Sequence, residues 1–209
     1  RVLIIGGGDG GMLREVLKHQ NVEAVCQVEI DRDVIEMSRN YLPNHSAGAF
    51  DDPRVTIEID DGMHFVEQTE QRFDVIISDS TDPIGPGEAL FSRDFYAGCK
   101  RCLAPGGILV TQNGVVFLQP DECASTALHF QDLFLDWHFY SASVPTYVGG
   151  VMAFGFATDE PAHRKIDAKT VASRFEAANL STRYYTPEIH HAAFALPAYV
   201  MDLIGKTVR

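Results

Sequence analysis

Val2-Leu3-Ile4-Ile5-Gly6-Gly7-Gly8-Asp9-Gly10-Gly11 begins with four consecutive apolar residues and breaks into a run of glycines. The apolar run predicts a short buried strand over Val2–Ile5, and the residues beyond the glycines predict a helix from about Gly11 to His19. Gly6, Gly8 and Gly11 satisfy GxGxxG, a weak pattern that gains meaning from its place between a strand and a helix. Without side chains the loop lets backbone amides and a bulky ligand approach closely. Tight strand–helix packing alone would also use these glycines.

Outward from this unit, strand and helix patterns alternate. Strands are predicted at Ala24–Ile30, Val55–Ile59, Phe73–Ser78 and Ile108–Gln112. Helices are predicted at Asp33–Tyr41 with Asp31 as cap, Gly62–Gln68, Arg93–Leu103 and Asp121–Phe134. Ala104-Pro105-Gly106-Gly107 reads as a helix stop and turn. His138–Ser143 and Val151–Ala157 follow each other with no helix between them, which predicts an antiparallel pair closing one sheet edge. The sum is an α/β fold, a doubly wound, mostly parallel sheet of about seven strands with the Rossmann-like layout of class I methyltransferases. That core spans about residues 1–158. A helical extension over about 159–209 is predicted to contain helices at Lys169–Ala178 and Ala193–Ile204, on either side of a Tyr184-Tyr185-Thr186-Pro187 turn. Arg1 stands directly before the first strand, where more chain usually leads in, and this predicts a segment missing ahead of it.

Acids gather where these strands should end. Glu29 closes the second strand at the spacing where a carboxylate grips two ribose hydroxyls. Asp60-Asp61-Gly62 follows the third strand, and Asp61 is placed to accept a hydrogen bond from an adenine amino group or to cap the next helix. Asp9 lies inside the glycine loop, where it would repel a pyrophosphate and welcome a nucleoside with a cationic tail. Asp79-Ser80-Thr81-Asp82-Pro83-Ile84-Gly85-Pro86-Gly87-Glu88 leaves the fourth strand with two carboxylates at the edge where such sheets bind ligands. Paired acids there suit a cationic substrate, and one of them is able to take its proton. A helix N-cap followed by a solvated turn is the other reading of the segment.

Composition narrows the classes. The 209 residues carry 29 acids against 17 bases, a formal charge of −12, which disfavours a nucleic-acid partner. No apolar run approaches the roughly 18–20 residues of a membrane span, and no secretory signal pattern is present. Cys26, Cys99, Cys102 and Cys123 read as reduced buried thiols in a cytoplasmic protein, because the lone Cys99/Cys102 pair lacks a second pair to complete a zinc site. His190-His191 has no partner spacing for a metal, so none is expected.

Taken together, the segments Ile5–Gly11 through Arg14-Glu15-Val16, Val28-Glu29-Ile30-Asp31, Asp60-Asp61-Gly62, Asp79 to Pro86, Pro145-Thr146-Tyr147, Tyr184-Tyr185 and Ala192–Pro197 resemble the spermidine synthase family of polyamine aminopropyltransferases, the bacterial enzymes most closely. The resemblance implies transfer of an aminopropyl group from decarboxylated S-adenosylmethionine, a co-substrate, to putrescine, giving spermidine and 5′-methylthioadenosine. It implies that Asp79 is the catalytic base, that Asp82 and Tyr147 hold the diamine, and that Gln112 lines its pocket. It also implies donor contacts from Gly6, Gly8, Asp9, Glu29, Asp60, Asp61 and Gly62, with Pro86 packing on the adenine from a loop that covers the site. No metal or resident cofactor is implied. A homodimer or homotetramer is, together with an N-terminal β-rich domain that has no counterpart in these residues. The alternatives are a class I S-adenosylmethionine-dependent small-molecule methyltransferase, which has no particular need for Asp79 with Asp82, and a nucleoside-binding domain without activity.

Overall fold

A computed structural model describes residues 1–206, with Pro86 described by its backbone alone. The chain runs β1 (Val2–Gly6), α1 (Gly11–Leu17), β2 (Val25–Glu29), α2 (Arg32–Tyr41), α3 (Pro43–Ser46), β3 (Val55–Ile59), α4 (Gly62–Gln68), β4 (Phe73–Asp79), α5 (Arg93–Cys102), β5 (Leu103–Gln112), α6 (Pro120–Leu133), β6 (Asp136–Ser143) and β7 (Val151–Thr158). Three helices follow: α7 (Ala168–Ala178), α8 (Pro187–Ala193) and α9 (Ala198–Leu203). The seven strands form one sheet in the order β3-β2-β1-β4-β5-β7-β6. β1 to β5 are parallel neighbours, while β7 lies antiparallel between β5 and β6. The expected antiparallel pair at one edge is therefore present.

Period-two side-chain alternation splits β1 between two cores. Leu3 and Ile5 join Val28, Ile76, Phe95, Tyr96, Leu109 and Phe130 on the face covered by α4, α5, α6 and α9. Val2 and Ile4 join Leu13, Val16, Ile35 and Phe50 on the face covered by α1 and α2. Each fully buried aromatic or aliphatic side chain contributes about 1.5–3 kcal/mol. Asn113, fully buried just past β5, ties the two halves of the first core. Its Oδ1 accepts from the Gly155 amide at 3.0 Å and from Thr111 at 2.7 Å, and its Nδ2 donates to Thr126 at 2.8 Å. Thr126 in turn bonds the Tyr96 hydroxyl at 3.0 Å.

Two local expectations are corrected, and one alternative reading is excluded. The helix expected over Ala193–Ile204 is shorter, Ala198–Leu203, and Ala193 instead ends a separate helix that begins at Pro187. Pro197 has no amide hydrogen and its ring clashes one turn back, so a helix cannot run through it. Instead Thr186 caps α8, accepting from the Ile189 amide at 3.2 Å with Pro187 at the first turn, and α9 starts after Pro197. β5 begins at Leu103 instead of Ile108, because Leu103 pairs with Phe73 before a register shift at Phe73/Val75 absorbs the Pro-Gly-Gly segment. The Asp79–Asp82 segment caps no helix. Asp79 is the last residue of β4, residues 85–91 form a 3-10 turn, and Ser92 caps α5.

Candidate active site

The strand order reverses between β1 and β4, and in doubly wound sheets the crevice at such a reversal is where ligands bind. Gly6 ends β1 directly opposite Asp79, which ends β4. A Cβ on Gly6, whose φ is +81°, would stand 2.2 Å from the Asp79 carbonyl oxygen, so only glycine lets the loop leave here. The Gly7 amide donates to that carbonyl at 3.2 Å. From beneath, buried Gln27 of β2 donates to the carbonyls of Gly6 and Gly7 at 3.0 and 2.6 Å, which fixes the loop to the sheet.

Two acids face this loop. Glu29, at the end of β2, is 8% exposed and its Oε1 accepts from the Asp31 amide at 3.1 Å. Its Oε2 turns toward Gly8, where a Cβ would stand 2.6 Å away. Gly8 is thus a space requirement set by the carboxylate. Asp9 is exposed and engaged at both oxygens: Oδ1 accepts from the Gly11 amide at 2.8 Å, and Oδ2 lies 3.1 Å from Nε2 of His45 on α3. Arg14, the base nearest the loop in sequence, turns away, bonding Glu15 at 2.8 Å and the His45 carbonyl.

Asp79 is a perturbed carboxyl at the crevice. Burial pushes it above the ordinary carboxylate range, and the charges of Asp9 and Glu29 push in the same direction. The three acids therefore share one electrostatic site. No hydrogen-bond donor reaches the Asp79 carboxylate among the described residues. Beyond it, Asp82 is exposed, and Gly87 of the 3-10 turn folds back onto it: a Cβ there would meet Thr81 Oγ1 at 2.6 Å and the Asp82 carbonyl at 2.7 Å.

The remaining expected residues divide. Gly62 is brought in, packed on Ile5 of β1 so closely that a Cβ would stand 2.5 Å from its Cγ2. Asp61 caps α4, accepting from the Met63 amide at 2.7 Å through Oδ1, and is exposed. Asp60 turns to His64, 2.9 Å away, whose hydrogen bond holds it below the usual range. Gln112 closes β5 at the same edge as Asp79, buried, with its Oε1 unpartnered. Tyr147, 51% exposed, lies in the β6–β7 turn, whose Gly149 packs against Val115 just past β5. No hydrogen bond among the described residues ties Tyr147 to Asp79 or Asp82. The Pro86 side chain lies outside the described residues. His45 was not legible in the sequence, because no spacing links it to a loop 36 residues upstream.

The chain matches the spermine/spermidine synthase domain over residues 1–169. The chain belongs to the spermine/spermidine synthase family. It is 60% identical over 206 residues to polyamine aminopropyltransferase 1 of Pseudomonas aeruginosa, covering 99% of this chain and 72% of that protein. It is 60% identical over 204 residues to the polyamine aminopropyltransferase of Salmonella arizonae, covering 98% and 71%. Among solved structures, a spermidine synthase in complex with the transition-state analogue AdoDATO superposes with a TM-score of 0.90 at 38% identity, covering 98% of this chain and 69% of that one. The spermidine synthase of Thermotoga maritima superposes with a TM-score of 0.87 at 36% identity, covering 99% and 68%. The doubly wound sheet is thus the family's fold. Among the described residues no cluster of three or more histidines, cysteines or acids is able to hold a metal, and no helix is long and apolar enough to cross a membrane.

Proposed function

We propose that this chain transfers the aminopropyl group of decarboxylated S-adenosylmethionine to putrescine, giving spermidine and 5′-methylthioadenosine. Membership of an aminopropyltransferase family supports the reaction class and disfavours the methyltransferase alternative. The observation that carries the reading at this site is Asp79, an acid without a donor, at the strand reversal, pushed upward by burial and by Asp9 and Glu29.

Putrescine arrives as a dication, its amines near a pKa of about 10 by analogy with lysine. Attack requires a neutral amine, yet neighbouring carboxylates favour the charged form. The donor's sulfonium and ammonium supply the opposing field, lowering the attacking amine's pKa. Asp79 takes the released proton. The nitrogen lone pair then forms a bond to the aminopropyl carbon beside sulfur, the carbon–sulfur bond breaks, and its electron pair stays on sulfur as a neutral thioether. A positioned base of this kind contributes roughly 10²–10⁴-fold, and in-line orientation supplies much of the rest.

The same acids set donor choice. Asp9 meets the donor's ammonium tail, Glu29 the ribose, and Asp61 the adenine edge through the oxygen not used in capping. Ordinary S-adenosylmethionine adds a carboxylate that meets Asp9, and no lysine or arginine pairs with Asp9 among the described residues. Like charges at such range weaken its binding by about 10- to 100-fold. Four buried, unpaired cysteines suit a reducing compartment, which supports a cytoplasmic reaction.

The test is mass spectrometry of products from the decarboxylated donor and, in a parallel reaction, from ordinary S-adenosylmethionine, each offered with putrescine, cadaverine, agmatine and spermidine together. Putrescine heavier by one aminopropyl group is the expected product. A methylated amine formed from ordinary S-adenosylmethionine would overturn the reading.

A further inference from the structure

Glu122 lies in the first turn of α6, only 9% exposed. Its Oε1 accepts from Gln119 Nε2 at 2.7 Å, and Gln119 Oε1 accepts from the Val115 amide at 3.1 Å. That clasp pins the carboxylate against the loop leaving β5. Its Oε2 is buried and has no hydrogen-bond partner among the described residues. A Cβ on Gly114 would stand 2.8 Å from Oε2, so the free oxygen rests on the backbone two residues beyond Gln112. The Gln112 amide oxygen is likewise buried and unpartnered. Beneath both, the Asn113–Thr126–Tyr96 network holds the loop and α6 in register.

A carboxylate buried to this extent is ordinarily paired with a cation, and this one is not paired with a lysine or arginine among the described residues. The first turn of a helix favours an anion, yet burial, and then the charge of Asp82, push Glu122 up to about 7. The charge that reaches Glu122 from the loop after β4 is that of Asp82. The other titratable groups that feel Glu122 are Cys123 on the same helix and Tyr96 on α5, both pushed upward by burial and neutral at pH 7. Among the described residues neither Asp82 nor Glu122 is paired with a positive charge.

We propose that Glu122 is a specificity-determining residue for the acceptor, bracketing the non-reacting ammonium of the diamine together with Asp82. This rests on the reading of the site as an aminopropyltransferase for diamines. Asp79 then serves one end of the acceptor, and the Asp82–Glu122 pair holds the other. A bound ammonium relieves the repulsion between the two acids and satisfies Oε2. A monoamine of the same length leaves both unsatisfied and gains nothing from Glu122.

The test compares the protein with Glu122→Gln and Glu122→Asp, using putrescine and 1-aminobutane as acceptors. Glu122→Gln is expected to raise KM for putrescine about tenfold or more. The kcat and the KM for the donor should stay within about twofold, and kcat/KM for 1-aminobutane should not change. Glu122→Asp, which keeps the charge, should restore part of the lost affinity. Equal loss for both amines, or an unchanged KM for putrescine, would overturn the inference and leave the functional reading intact. Failure of the unaltered protein to aminopropylate putrescine would overturn the functional reading, and the inference with it.

Discussion

Asp79 combines two properties that work against each other. As the proposed base it must be close to the amine, and as a partly buried acid it destabilises the fold when ionised. Its pKa is held above the unfolded value of ~3.9, so its contribution to stability is full below that value and is lost as pH rises through the folded pKa. Asp79→Asn should therefore raise the melting temperature at pH 8, and the gain should shrink as pH approaches 4. Thermal melts across that range check it. The same logic applies to Glu122, raised to about 7, whose amide variant should stabilise the protein at pH 8 and do little at pH 5. In the proposed site His45 acts on the donor side, by orienting Asp9. Removing its imidazole by His45→Ala frees one Asp9 oxygen, and donor KM should rise about 3- to 10-fold with kcat little changed, as steady-state kinetics would show. Glu29 and Asp79 were legible because strand ends and spacing announce them. His45 and Glu122 were not, since each gains meaning only from a partner on another element.

At the scale of elements, most boundaries follow from local chemistry. Asp31 accepts from the Asp33 amide at 2.8 Å and starts α2 as its cap position predicts, and Asp61 does the same for α4 at 2.7 Å. The glycine loop carries the most demanding local geometry. On Gly8 a Cβ would meet Glu29 Oε2 at 2.6 Å and Val34 Cγ1 at 2.8 Å. Gly8→Ala should displace the Glu29 carboxylate and raise donor KM by about tenfold or more, with KM for the amine unchanged. Elements whose extent depends on tertiary pairing were less legible. Leu103 is extended because Phe73 is there to pair with it, and the α8–α9 break shows only when Pro197 is weighed above helix-forming neighbours.

For the molecule as a whole, alternating strand and helix patterns were enough to imply the doubly wound sheet, because buried parallel strands leave long apolar runs. The placing of β7 between β5 and β6 was not implied, since sequence order does not state strand order. Acid sensitivity has a clear source in the same region. Buried His138 of β6 stacks on Phe194, its Nδ1 is unpartnered, and burial lowers its pKa to about 4. Its contribution is present above the unfolded pKa of ~6.5 and is lost as pH falls toward 4, by about 1.4 kcal/mol per pH unit at most. His138→Phe should flatten the dependence of melting temperature on pH across that window.

The reversal of strand order sets Asp79 beside the glycine loop, and the proposed chemistry rests on that juxtaposition. Its most direct test is the rate of spermidine and methylthioadenosine formation at neutral pH by the protein and by Asp79→Asn, with saturating decarboxylated donor and putrescine. The two products should form in equal amounts, with a roughly 10²–10⁴-fold slower rate for the variant. Equal rates for the two proteins would contradict the proposed chemistry.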